Sequence, residues 1–236
     1  RVPYPGTEIP QSPANGLYKS DTGAPGSFRR LEPAPIDSLT EEGFTPAERI
    51  GRIEMGTAYG PMQDHNYVYA MVHDAVLQAQ AANPTLDPPL DVLGAIPLAT
   101  RINGIYVSAD FGETWRRMAD SVEVGSIPGP FVALIPPGVQ AFYNQWIQPD
   151  PTRFIPGLGI PTRIAFGLEE IFQNRVPHQP LNGLAQLGPQ DFQNIGFYFS
   201  LTGADPNTHA DQHAGLWIST GSLPNSGDGG VCLFAG

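Results

Sequence analysis

The chain has 236 residues, of which 41% are hydrophobic and only 15% charged, and its 27 glycines and 26 prolines are a density of turn formers that disfavours a helical bundle. Twelve basic against 23 acidic residues give a net charge of −11, and the basic residues form no run longer than a pair, so nucleic acid and anionic membrane are poor partners. The longest apolar stretch, 127–139, is broken by Pro128, Pro130, Pro136 and Pro137, and no membrane-spanning helix is expected.

Short aromatic and β-branched runs bounded by Gly, Pro, Asn or Asp recur along the chain and predict strands over 16–20, 66–73, 103–108, 114–118, 140–147, 163–168, 195–200, 215–220 and 231–235. The expected class is all-β. One helix is predicted, over 74–82, Ala- and Gln-rich and ended before Pro84, inside an insertion spanning 74–100. The proline-rich pieces 33–36, 84–89 and 128–137 read as surface crossings. The chain opens on Arg1 without a basic-then-apolar leader, which fits either a processed N-terminus or an internal cut. Cys232 stands alone, excluding an intrachain disulfide framework, and Asn83 precedes Pro84, so N-glycosylation is not expected.

The most informative segment is Gly104 to Trp115. It joins a strand, a Ser-x-Asp-x-Gly-x-Thr-Trp turn and the start of a second strand within a dozen residues, with the pattern carried by Ser108, Asp110, Gly112, Thr114 and Trp115. Asp110 can accept hydrogen bonds from amides of its own turn, Gly112 can take positive φ, and the Trp115 ring can pack between adjacent sheets. The motif resembles the Asp-box, or bacterial neuraminidase repeat, of sialidases, sortilin-type receptors and secreted bacterial β-propellers. A degenerate copy runs from Gly16 through Ser20, Asp21 and Gly23 to Phe28, with a longer turn and Phe28 in the tryptophan position. The endings echo each other, Phe28-Arg29-Arg30-Leu31 against Trp115-Arg116-Arg117-Met118. Residues 167–174 read as the third strand of a blade whose turn has lost its Asp, and 209–219 as a strand that opens a blade.

The resemblance implies a β-propeller of four-stranded antiparallel blades. A half-blade falls at 1–31, one blade at about 45–118, another at about 140–200, and a second half-blade at 209–236. Joining the halves closes only about three blades, fewer than the four to eight that propellers use. The chain is therefore expected to be part of a larger propeller, with the remaining blades supplied by the same or another polypeptide. The Asp-box residues, Asp21 and Asp110 included, are expected to stabilise the fold rather than to react.

His209, Asp211 and His213 are the one cluster of imidazoles and carboxylate. On a strand the period of two places all three on one face, where they form either a hydrogen-bonded polar cluster or the core of a divalent-metal site, with Asp205 or an adjacent blade completing it. Asp64-His65 and His73-Asp74 read as turn and cap residues, and Glu169 and Glu170 as strand residues facing opposite sides. No Gly-x-Ser-x-Gly elbow surrounds any serine, Ser219 included. The sialidase Phe/Tyr-Arg-Ile-Pro element has only a scrambled counterpart, Arg153-Phe154-Ile155-Pro156, so that family's catalytic residues do not carry over. By resemblance the chain is a secreted or extracytoplasmic binding or assembly scaffold for protein or carbohydrate partners. The alternative is a propeller-type glycoside hydrolase with catalytic carboxylates partly outside this chain.

Overall fold

The computed structural model of the protein describes residues 14–82, 100–128, 136–177, 187–196, 212–219 and 231–235, together with the backbone of 2–3 and 10–11. The strands are β1 (Val2–Pro3), β2 (Pro10–Gln11), β3 (Tyr18–Lys19), β4 (Arg29–Arg30), β5 (Ile50–Thr57), β6 (Val68–Asp74), β7 (Ile102–Ser108), β8 (Arg116–Asp120), β9 (Trp146–Pro149), β10 (Ile164–Gly167), β11 (Ile171–Asn174), β12 (Phe192–Gly196), β13 (Gly215–Ser219) and β14 (Val231–Ala235). Two short helices, α1 (Ala75–Ala82) and α2 (Ser121–Gly125), complete the elements used below. The protein is all-β in architecture, as the strand pattern predicts.

Pairing is antiparallel throughout the named strands. β5 to β8 form a four-stranded meander in chain order, β9 to β12 form a second, and β1–β2, β3–β4 and β13–β14 are two-stranded. β6 is buried along its whole length because both faces of the first sheet are covered. On one face Tyr69, Met71, Ile105 and Val107 join Ile147, Ile164, Phe166 and Phe172 of the second sheet in a single core. On the other face Val68, Ala70, Val72, Tyr106 and Trp115 pack with Phe44 and with Leu17 and Leu31 of the β3–β4 hairpin. The second sheet buries its remaining face, through Trp146, Ala165 and Ile171, against Trp217 and Leu233 of β13–β14. Hairpin, sheet, sheet and hairpin are thus stacked face to face in chain order.

The outer edge of the first sheet is covered. Glu42 bridges to Arg116, the Gly43 amide donates to the Trp115 carbonyl at 2.8 Å, and the Arg117 amide donates to the Glu41 carbonyl at 2.7 Å. Ion pairs Arg117–Glu41 at 2.5 Å and Arg116–Glu42 at 2.7 Å hold the same strap, which blunts an edge that would otherwise template another strand.

Helix α1 lies where the Ala- and Gln-rich run predicts it. Asp74 caps it, its Oδ1 accepting from the amides of Val76 and Leu77. Asp74 Oδ2 is held by Arg49 and by Asn103. Two strand expectations need correction. Residues 137–143 form turns, and extension begins only at Trp146, because the Glu169 carboxylate captures the amides of Gly138 and Gln140 at 2.7 and 2.6 Å. Glu169 and Glu170 are not in a strand: both are buried in the tight turn between β10 and β11, and Glu170 accepts from the Asn194 side chain. Of the third strand expected over 167–174, only 171–174 is the third strand of its sheet, since Gly167 ends β10 and 168–170 form the turn.

Candidate functional site

The Ser-x-Asp-x-Gly-x-Thr-Trp turn links β7 to β8, the third and fourth strands of the first sheet. Ser108 Oγ donates to Asp110 Oδ1 at 2.8 Å and accepts from the Gly112 amide at 2.7 Å. Asp110 then accepts from the Thr114 amide at 2.8 Å and the Thr114 hydroxyl at 2.6 Å. Burial alone would raise the Asp110 pKa, but the bonds from Thr114, Ser108 and the Glu113 amide outweigh it and hold the carboxyl below its ordinary value. Gly112 sits at φ 92°, a conformation that L side chains rarely adopt. Its carbonyl accepts from Trp115 Nε1 at 2.9 Å, which fixes the indole edge while the ring packs 4.9 Å from Phe44. All five motif residues are brought together, and every polar contact among them serves the turn.

The turn at Ser20 to Gly23, expected to be a degenerate copy, works differently. Ser20 Oγ accepts from the Thr22 and Gly23 amides, while Asp21 is exposed. Phe28 does not take the tryptophan's role, because it lies on the opposite face of the hairpin from Leu17 and Leu31 and is about half exposed. Glu113 of the Ser108–Trp115 turn pairs with Lys19 and Arg29, tying the β3–β4 hairpin to that turn and lowering the Glu113 pKa through those bonds. A hollow of about 390 Å³ beside the turn is floored by Val107, Ala109 and Trp115. The charged groups on its rim, Glu113, Glu42 and Arg116, are already paired with other protein groups.

A second region draws together the first strands of successive sheets. Arg52 of β5 donates to the carbonyl of Tyr143, 91 residues further on. The same offset recurs where Gly56 faces the Ile147 carbonyl and Gly60 the Pro151 carbonyl, so 52–60 and 143–151 run side by side in one direction. At Gly56 a Cβ would lie 2.2 Å from that carbonyl oxygen, and the close approach of the sheets leaves room only for glycine. β13 follows the same pattern beside β9: Gly215 packs on the Trp146 ring, and His213 lies 5.9 Å from Tyr143, centroid to centroid. Near the other end the Tyr59 hydroxyl donates to the Trp217 carbonyl at 3.2 Å. Burial, and then the charge of Asp150, raise the Tyr59 pKa.

The starting ends of β5, β9 and β13 therefore share one surface. Arg52 forms an ion pair with Glu54 at 2.6 Å, Phe142 stands exposed with its ring edge-on to Tyr143 at 4.7 Å, and His213 is exposed beside Tyr143. Glu169 anchors this end by fixing the turn that carries Phe142 and Tyr143; burial raises its pKa against the lowering effect of the amides it binds.

Of the predicted metal trio, His209 and Asp211 lie outside the described residues. His213 precedes β13 instead of lying on a strand, so the period-two argument does not reach it. No group of three or more metal-ligating side chains occurs among the described residues. The paired His and Asp residues elsewhere are fold-bound as expected: Asp64 caps Asn66, His65 contacts the Gly60 carbonyl, and His73 contacts Gln78. Among the described residues no helix is long and apolar enough to cross a membrane. The Arg52, Glu54, Phe142 and Tyr143 cluster escaped sequence reasoning, since 91 residues separate its halves; the exposed Phe142-Tyr143 pair was its one local signal.

Comparison with known proteins finds no matching family model, no matching curated protein and no matching solved structure.

Proposed function

We propose that this chain forms part of an Asp-box β-propeller that works outside the cytoplasm as a binding or assembly scaffold for protein or glycan partners. The observation that carries the reading is the side-by-side, same-direction alignment of β5, β9 and β13, each the first strand of its own sheet. Radially repeated meanders bring their innermost strands together about an axis in this way. The Asp-box sits between third and fourth strands, as that architecture requires, and its residues are consumed by the turn.

The ligand is placed on the shared starting end of the first strands, where Phe142 and Tyr143 offer apolar faces beside the Arg52–Glu54 pair and His213. Exposed aromatics held by a rigid loop lose little entropy on binding. Glycoside hydrolysis finds less support, because Glu169 and Glu170 are buried and occupied in holding backbone and Asn194.

The test is a binding screen of the intact protein against panels of oligosaccharides and extended peptides, run beside Phe142→Ala. Saturable binding to one panel, weakened about tenfold or more by the substitution at unchanged stability, is expected. Turnover of chromogenic glycosides, or binding indifferent to Phe142, overturns the scaffold reading.

A further inference from the structure

We infer that a second copy of this chain completes the fold: β13–β14 of one copy joins β3–β4 of the other in a composite four-stranded sheet, twice, closing a ring of six sheets. The inference rests on the propeller reading above and names its partner.

The β3–β4 and β13–β14 pairs are apolar on both faces, but among the described residues only one face of each is covered. In β13, Gly215 and Trp217 face the second sheet, whereas Leu216 and Ile218 point away and are about half exposed. In the β3–β4 hairpin, Leu17 and Leu31 face the first sheet with Lys19 and Arg29, which reach Glu113. Tyr18 and Phe28 point away and are likewise about half exposed.

The surfaces that would receive these side chains are present on the same chain. Met55 and Ile53 of β5 stand opposite Ala70 and Val72, and so lie on the face of the first sheet that β3–β4 covers. The hairpin stops short of Met55, which is about half exposed. β13 of a partner seated beside β5, as β9 sits beside β5 and β13 beside β9, would lay Leu216 and Ile218 on Ile53 and Met55. On the second sheet Ile195 of β12 lies on the face that carries Ala165 and Ile171, and it too is exposed. A partner's Tyr18 and Phe28, on the outer half of the composite sheet, would cover it. The four bare positions on the hairpins and the two on the sheets match in pairs under one two-fold operation.

The strand count agrees. Besides β1–β2, the described residues of one chain hold two four-stranded sheets and the pairs β3–β4 and β13–β14; joining those two pairs within one chain makes three four-stranded sheets, whereas exchanging them between two copies makes six, within the four to eight of closed propellers. The composite sheets also pair the edges of β14 and β3 that have no partner strand among the described residues.

The mass of the 236-residue protein, measured by light scattering across a concentration series, tests this. The expected particle is twice 25.3 kDa. Met55→Arg and Ile218→Glu, both at positions exposed in a single copy, should each weaken the dimer on the order of 100-fold while circular dichroism and melting of the separated chain stay unchanged. An equimolar mixture of the two variants should dimerise again, since one of its two interfaces then pairs Arg with Glu and the other is wild type. A monomer at all concentrations, a trimer, or variants that dimerise like wild type overturn the second-copy inference. The propeller reading fails separately: electron-microscopic class averages lacking sheets arranged radially about an axis overturn it, whatever the mass.

Discussion

Replacing Trp115 with alanine tests whether the turn from Ser108 to Trp115 is a packing device. The ring is 5% exposed and lies among Phe44, Tyr106, Leu17 and Leu31, between the first sheet and the β3–β4 hairpin. A buried tryptophan removes roughly 200 Å² from water, worth about 5 kcal/mol at ~25 cal/mol per Å². Discounting a compact unfolded state and the surface alanine keeps leaves about 3 kcal/mol. Loss of the indole bond to the Gly112 carbonyl adds about 1 kcal/mol, so Trp115→Ala should cost about 3–5 kcal/mol. Trp115→Phe keeps most of the apolar area and forfeits the bond, and should cost only about 1–2 kcal/mol. Urea denaturation followed by far-ultraviolet circular dichroism reads both, without relying on the fluorescence of the residue removed. A Trp115→Ala loss below about 1 kcal/mol would refute the packing argument. Equal losses in the two variants would instead show that the hydrogen bond, not the ring, carries the effect.

Asp110→Ala should cost about 1–3 kcal/mol at neutral pH, because it strips acceptors from Thr114 and Ser108. The folded carboxyl titrates below its unfolded value of 3.8, so this contribution is present above that value and lost as pH falls through the folded one; the gap between wild type and variant should close in acid denaturation series. Gly56→Ala should cost about 2–4 kcal/mol by forcing β5 and β9 apart, and a melting temperature within a degree of wild type would defeat the proposed close approach. Burial, only partly offset by the bond to Gln78 and by Asp74, and reinforced by Arg101 and Arg52, lowers the His73 pKa, and its Nδ1 has no acceptor. Stability should therefore fall as pH drops from the unfolded value of 6.5 toward the folded one, and a His73→Gln variant should show a flatter profile over that window.

The parts of the fold legible from sequence are those whose chemistry is local. The Ser-x-Asp-x-Gly-x-Thr-Trp turn closes its bonds within eight residues, from Ser108 to Trp115, so spacing alone places the turn and the buried ring. Helix α1 is equally local, with a good helix-forming run and a capping aspartate. β5, the longest of the described strands, is not legible as a strand because Gly51 and Gly56 interrupt its β-forming pattern. Those glycines answer to partners far along the chain: a Cβ at Gly51 would strike the His73 ring, and one at Gly56 the Ile147 carbonyl. The strand expected over 140–147 begins only at Trp146 for a related reason, since Glu169, some 30 residues downstream, claims the amides that an earlier ladder would have used. Phe28 shows a third kind of failure: it is expected in the tryptophan position, but the longer turn sets it on the outer face of the hairpin. Where a residue's environment is made by its own turn, pattern suffices. At the innermost strands, where sheets approach closely enough to exclude a methyl group, the residues that define the candidate site follow from contacts that no local pattern encodes.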